Sequence, residues 1–394
     1  MQWEDPAQAP TPLPIAKAGE REFSLRAALE SVVRRGASDL HLKAGRPPML
    51  RIDGELRPME LPPLRHEDLK RAAEQILTPR QREHFERQKE LDFSVGVQGL
   101  GRFRVTAFQQ RGSPGLALRA IPTEIPTLEQ LQLPKALQTV ALARRGLVLV
   151  TGITGSGKST TLAAMIRHVN EHRPVNVVTI EDPIEFVHRD IRALINQREV
   201  GTDTLSFQLA LRNVLRQDPD VILLGEIRDQ ESMEALLKAA NTGHTVFSTM
   251  HTLNAAQTIG RIISFFPPHQ HEEIRALLAE ALQAVISMRL IPRSDQEGRV
   301  AAVEVMINTA AISDRIRHAD QEHTIPDLIA EGRTQYGMQT FDQSVMDLYR
   351  QGVISYESAV SNASNPAEFA LRASGVQAAS DATWTGTGIE RMGS

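Results

Sequence analysis

Cysteine is absent from the 394 residues, which excludes disulfides, thiolate metal sites and a cysteine nucleophile and is compatible with a reducing compartment. Aromatic residues are scarce, at 4%, and none is interleaved with a basic stretch. The 44 Lys and Arg against 48 Asp and Glu give a formal charge of −4. With no basic excess, neither a nucleic acid nor an anionic membrane surface is the expected partner. No apolar run approaches the ~18–20 residues that span a bilayer. The opening MQWEDPAQAPTPLP lacks a basic region followed by an apolar stretch, so neither a transmembrane segment nor a secretory signal is expected. A membrane role would be peripheral.

Hydrophobic residues at 41% and charged residues at 23% are those of a chain that can bury a core, and the length suits two or three domains. Residues 1–22, with Pro6, Pro10, Pro12 and Pro14, read as a disordered or extended arm. LRAALESVVRRG then places Leu25, Ala28, Leu29, Val32 and Val33 at helical spacing, closing at Gly36. The segments SDLHLKAG, MLRIDGELRPM, LDFSVGVQ and GRFRVTAFQQRG alternate apolar and polar residues, with 67–89 helical between them. Together they predict a smaller α+β domain over 23–120 with an antiparallel sheet. Residues 121–136 hold three prolines and read as a linker with a short helix. From 137 to 372 the runs LVLVT, NVVTI, DVILL and TVFST, separated by helical segments, predict an α/β domain whose mostly parallel sheet is buried on both faces. Residues 271–290 read as one long amphipathic helix and 341–372 as mainly helical. The Ser-, Thr-, Gly- and Ala-rich stretch 373–394 reads as a disordered tail.

LVLVT runs into Gly152-Ile153-Thr154-Gly155-Ser156-Gly157-Lys158-Ser159 and then a helical TTLAAMIRHVN. This is the G-x-x-x-x-G-K-[ST] pattern in its strand–loop–helix setting. Glycines let successive N–H groups turn inward as an anion nest, and the following helix adds its positive end. Lys158 brings a full charge to the β- and γ-phosphates, and the Ser159 hydroxyl is a Mg²⁺ ligand. Thr154 to Thr160 (Thr154, Gly155, Ser156, Gly157, Lys158, Ser159, Thr160) are the nucleotide-binding residues, for ATP with Mg²⁺.

Two more strands end in acids. NVVTI leads to Glu181-Asp182-Pro183-Ile184-Glu185, and DVILL to Gly225-Glu226-Ile227-Arg228-Asp229. Strand C-termini converge on the nucleotide crevice of a doubly wound sheet. Glu226 has the position of a Walker-B acid and Glu181 the equivalent end of its own strand. One would orient Mg²⁺ or its waters, and the other would position or deprotonate the lytic water. For Asp182 and Asp229, helix capping or ion pairing competes with a functional role. His251 follows TVFST, in reach of a γ-phosphate or a neighbouring carboxylate. His244 precedes that strand and belongs at the opposite edge.

GITGSGKST, TIEDPIEFVH, INQREVGTDTLSF, LRQDPDVILLGEIRD, TGHTVFSTMHT and GMQTFDQ resemble the PilT/PilU family of type IV pilus retraction ATPases, within the secretion-superfamily ATPases. The resemblance is collinear from about Phe23 to about Arg372. It implies a RecA-like P-loop NTPase C-terminal domain behind a PAS-like N-terminal domain, the latter on SDLHLKAGRPPMLRIDGEL. By the resemblance, Gly152–Ser159 is Walker A, Glu181–Glu185 falls in an aspartate box, Asp220–Glu226 in Walker B and Thr242–Thr252 in a histidine box. Glu181, Glu226, His251 and His244 become the catalytic set, with Ser159 and Glu226 toward Mg²⁺. The family works as a homohexamer with nucleotide between one subunit's C-terminal domain and a neighbour's N-terminal domain, which makes Arg102 and Arg104 of GRFRV candidates to reach a neighbour's phosphates. The resemblance further implies a cytoplasmic motor at the inner membrane that meets the pilus platform protein and a paralogous pilus ATPase. One departure stands out: the family's Ala-Ile-Arg stretch reads Ala311-Ile312-Ser313-Asp314-Arg315 here. A nucleotide-gated accessory scaffold is the alternative in another class, although it has no need of Lys158, Glu181 and Glu226 together. An assembly or secretion ATPase of the superfamily usually carries a four-cysteine zinc site, which this chain cannot build.

Overall fold

The computed structural model describes residues 23–374, apart from 53, 123 and 319–323. The expected arm over 1–22, and the expected tail beyond its first two residues, lie outside the described residues. The chain divides into two units at Glu124/Ile125, with Pro183–Val187 grouped with the first.

In the first unit, Ser24 caps α1 (Leu25–Arg34) by accepting the N–H of Ala27. Leu25, Ala28, Leu29 and Val32 form its buried stripe, and Gly36 closes it at φ +62°. Next come β1 (Asp39–Leu42), β2 (Met49–Ile52) and β3 (Glu55–Pro58). The stretch 67–89 is helical, as expected, and holds two helices: α2 (His66–Ile76) and α3 (Pro79–Gln88). The reason is local. Thr78 caps α3 in a reciprocal capping box with Gln81, and Pro79 occupies its first position, where a proline can begin a helix but not continue one. β4 (Glu90–Val97), β5 (Gly101–Gln110) and β6 (Ser113–Ile121) complete a six-stranded antiparallel sheet in the order β3-β2-β1-β6-β5-β4. Leu40, Phe103, Val105 and Leu118 of the sheet meet Leu29 of α1 and Leu69 of α2 in one core.

The second unit opens on turns, not helix, as far as α4 (Ala136–Ala141), with Pro126 and Pro134 punctuating the expected linker. Then follow β7 (Gly146–Thr151), α5 (Lys158–His172), β8 (Asn176–Glu181), β9 (Leu194–Glu199), α6 (Phe207–Val214), β10 (Val221–Leu224) and α7 (Gln230–Asn241). After them come β11 (Thr245–Met250), α8 (Ala255–Ser264), α9 (His271–Ala281), β12 (Leu282–Pro292) and β13 (Arg299–Ile307). The sheet order is β13-β12-β7-β11-β10-β8-β9, parallel except for β13. All six residues of β7 are buried. Leu147 and Leu149 face a core with α6 to α9, whereas Val148 and Val150 face another with α4 and α5. Burial on both faces is why these strands read as unbroken apolar runs.

The helix expected over 271–290 is corrected to α9 followed by β12. Leu282 leaves the helix at ψ 130°, and VISMRLI, rich in β-branched and apolar residues, lies between β7 and β13 with most of its side chains buried. A helical period and a fully buried strand look alike where nearly every position is apolar.

Beyond β13 come α10 (Ala310–Arg317), α11 (Ile325–Glu331), α12 (Arg333–Tyr336), α13 (Phe341–Arg350), α14 (Tyr356–Asn362) and α15 (Pro366–Ala373). Phe341, Val345 and Phe369 pack with Ile291 of β12 and Val300 of β13. The Arg289 guanidinium lies 3.9 Å over the Phe341 ring. On α10, the Ser313 hydroxyl donates to the Ala279 carbonyl at 3.0 Å, so the residue at the departure from the family pattern joins α10 to α9.

Candidate nucleotide site

The loop between β7 and α5 turns through three glycines with positive φ: Gly152 (143°), Gly155 (77°) and Gly157 (96°). At Gly152 the need for glycine is steric as well, since a Cβ there would lie 2.5 Å from Ser156 Oγ and 2.6 Å from the Met288 carbonyl oxygen. α5 begins without a side-chain cap, so its first amides face the loop, as an anion cradle requires. Lys158 is buried, its Nζ donating to the carbonyls of Gly152 and Ile153, both at 2.9 Å. Ser159 and Thr160 are half-buried on the first turn of α5. Under the loop, the Thr161 hydroxyl donates to the Met288 sulfur at 3.0 Å. Nothing in the sequence marked Met288 for this place, because β12 was read as helix.

Glu181, Glu226 and His251 leave the same edge of the sheet as the loop. The register sets Thr151 beside Met250, Leu224 beside Ser248, and Ile180 beside Leu224. Strand spacing puts His251 one strand, Glu226 two strands (~10 Å) and Glu181 three strands (~14 Å) from the P-loop strand. Glu226 pairs with Arg228, and its Oε2 lies 3.5 Å from His251 Nε2. The Glu226 carboxylate in turn raises the pKa of Arg228. Glu181 Oε1 accepts from the Thr179 hydroxyl at 2.6 Å and from Gln197 Nε2 at 3.1 Å. Those two donors help aim its carboxylate, and nothing in the sequence pattern marks Gln197. Thr249 on β11 is a further missed support: its hydroxyl donates to the Gly225 carbonyl at 2.7 Å and its carbonyl accepts the N–H of Ile227 at 3.0 Å, bracketing Glu226.

Asp229 has the capping fate weighed for it, accepting the N–H of Ser232 at 2.7 Å as the N-cap of α7. His244 is not brought to the loop. Its carbonyl accepts the N–H of Gly146 at 2.9 Å, the first residue of β7, so it sits a strand length away at the opposite edge. Its Nδ1 faces the Ala239 carbonyl at 3.0 Å. Within one chain, therefore, His244 does not join the other three. Arg102 and Arg104 lie on β5 of the first unit, opposite Gly96 and Ser94 of β4.

A glycine cradle between a central parallel strand and a helix, with acids at the ends of neighbouring strands, defines a P-loop NTPase of the RecA-like kind. The chain matches the family model described as "Type II/IV secretion system protein" over residues 17–382 and belongs to that family, in its PilT/PilU branch. It is 48% identical to the type IV pilus retraction ATPase PilT of Pseudomonas aeruginosa over 85% of its length and 97% of that protein's. It is 42% identical to the type IV pilus ATPase PilU of the same organism over 87% and 89%. Among solved structures, the pilus retraction motor PilT with bound ADP superposes with a TM-score of 0.80 at 43% identity, covering 88% of this chain and 99% of that one.

Proposed function

We propose that this chain is an ATP-hydrolysing motor that powers type IV pilus retraction, and hence twitching motility, as a ring of six. The observation that carries the reading is the Gly152–Ser159 cradle at the sheet edge shared by Glu226, Glu181 and His251. The residues fit ATP: positive-φ glycines, an uncapped helix start and a buried lysine are the donor set that polyphosphate requires. Mg²⁺ would meet Ser159 and Glu226, directly or through water. Among the described residues no group of three or more His, Asp or Glu could hold a metal alone, which suits an ion that arrives with its nucleotide.

Lys158 would draw the β- and γ-phosphates into the cradle by trading its two loop carbonyls for phosphate oxygens. Glu181, hydrogen-bonded by Thr179 and Gln197, would orient or deprotonate the lytic water. His251 links Glu226 to the γ-phosphate end. Arg102 and Arg104 would come from a neighbouring subunit to meet the charge that develops on the transferring phosphoryl group. Among the described residues no helix is long and apolar enough to cross a membrane, which accords with a cytoplasmic motor docked on an inner-membrane platform protein. A paralogous pilus ATPase is a further partner in this reading.

Lys158→Ala is expected to abolish hydrolysis and weaken nucleotide binding. Glu226→Gln and Glu181→Gln should bind ATP and fail to turn it over. Normal turnover in both glutamine variants would remove the carboxylate assignment. In a deletion strain, wild type should restore pilus retraction and Lys158→Ala should not; equal rescue would favour the scaffold.

A further inference from the structure

Behind the nucleotide cradle runs a buried polar chain that the site described above does not use. β7, which delivers the loop, ends at Thr151. Across the register, Ser287 of β12 lies opposite Thr151, and Glu304 of β13 lies opposite Ser287. The Thr151 hydroxyl donates to Ser287 Oγ at 2.9 Å, and the Ser287 hydroxyl donates to the Glu304 carboxylate. Glu304 Oε1 accepts the backbone N–H of Ala255 at 2.7 Å. Ala255 is the first residue of α8, four residues after His251. The chain continues from there. The Asn254 carbonyl accepts the Thr258 hydroxyl at 2.8 Å, and the Thr258 and Thr252 hydroxyls lie 2.6 Å apart, which fixes the residue next to His251. Thr151 and Ser287 are fully buried, and Glu304 is 6% exposed.

We infer that Glu304 is a positioning residue for nucleotide turnover: it ties the start of α8, and through it His251 and Glu226, to the strand that carries the P-loop. The inference rests on the P-loop reading above. Helix capping alone does not account for a carboxylate here. Asn254 already caps α8 by accepting the N–H of Gln257 at 2.8 Å, and water or a neutral side chain satisfies remaining end groups at less cost. Burial pushes the Glu304 carboxyl up to about 7, against the Ala255 N–H, Ser287 and Arg289, which favour the ionised form; Asp342 of α13 disfavours it. Arg289 acts only through its field, being engaged with the Phe341 ring and, at 2.6 Å, with the Asn362 carbonyl. A buried carboxylate without an ion-pair contact is a costly way to hold a backbone N–H. What it adds is length and direction: it joins the Ser287 hydroxyl, and through it Thr151, to a helix start whose loop carries His251.

The test uses the full chain as purified wild type, Glu304→Ala, Glu304→Gln and Ser287→Ala. Steady-state ATP hydrolysis, binding of a fluorescent ATP analogue and thermal melting are measured on each. Glu304→Ala should lower kcat by about tenfold, with KM and analogue affinity within about threefold. Glu304→Gln, whose amide oxygen still accepts from Ala255, should recover most of the loss, and Ser287→Ala should fall between. Wild-type kcat in Glu304→Ala overturns the inference, as does a kcat loss that merely follows lost analogue binding and is not recovered by glutamine. Should Glu304→Ala not fold, Ser287→Ala decides: an unchanged kcat there is equally fatal. A wild type that neither binds nor hydrolyses ATP is a failure of the P-loop reading itself; turnover indifferent to all three substitutions sinks the Glu304 inference alone.

Discussion

Lys158 and Glu304 are both buried ionisable groups, and they meet burial in opposite ways. Lys158 is compensated by two carbonyl oxygens of its own loop, acceptors that phosphate oxygens would replace in the proposed site. Glu304 keeps a net cost, because its carboxyl titrates near 7 in the fold against about 4.3 in an unfolded chain. Between those values the folded protein holds a proton that the unfolded chain has released, so stability falls as pH rises through the window. Glu304→Gln has no proton to lose there. Its melting temperature relative to wild type should therefore climb from pH 5 to pH 8, to a difference of about 2–3 kcal/mol in unfolding free energy. A difference independent of pH would refute the assignment. At this scale the strand pattern of the sequence placed Lys158, Glu181 and Glu226 at one edge of the sheet, while their roles stay proposals. It was silent on Ser287, Glu304 and Gln197, because strand pairing and register, which no spacing along the chain records, bring them to their partners.

Among the elements, β12 does more than extend the sheet. Its Met288 carbonyl and side chain sit against Gly152, Gly157 and Thr161, so the P-loop rests on a strand with its own buried hydroxyl at Ser287. Gly152→Ala would add a Cβ into two contacts of 2.6 Å or less at a φ that L residues avoid. The variant should lose nucleotide affinity by more than tenfold and a few kcal/mol of stability, read by analogue binding and chemical denaturation. Affinity equal to wild type would mean that the loop can re-form away from β12. The four runs that read as parallel strands are β7, β8, β10 and β11, legible because burial on both faces leaves no alternation to misread. β12 is the harder strand to read: no Gly or Pro breaks the chain between α9 and the strand, so the helical period runs on into it. The split between α2 and α3 is written locally, in Thr78-Pro79 and Gln81.

For the whole molecule, the reading puts the phosphate cradle in one unit and the arginines meant for a phosphate in the other. Turnover then depends on assembly. Specific ATPase activity should rise with protein concentration and level off as rings fill. Arg102→Ala with Arg104→Ala should depress that plateau by 10²-fold or more while leaving analogue binding to the cradle within a few-fold. Activity that is flat across dilution to the dissociated chain would contradict a shared site. Such a site is also the part least legible in one sequence, since spacing along a chain carries no direct record of what a second copy supplies.

The hydrophobic seat of the final helices bears on how the chain can be handled. Phe341 and Phe369 are almost wholly enclosed, against Ile291 and Val300 on the pair of strands next to β7. A stop codon placed anywhere between 341 and 369 would thus strip cover from the scaffold behind the loop, and not just shorten the protein. Reporter fusions and affinity handles at that terminus belong after Ser374, and a protease nick inside α15 should silence the enzyme without touching a single ligand of the nucleotide.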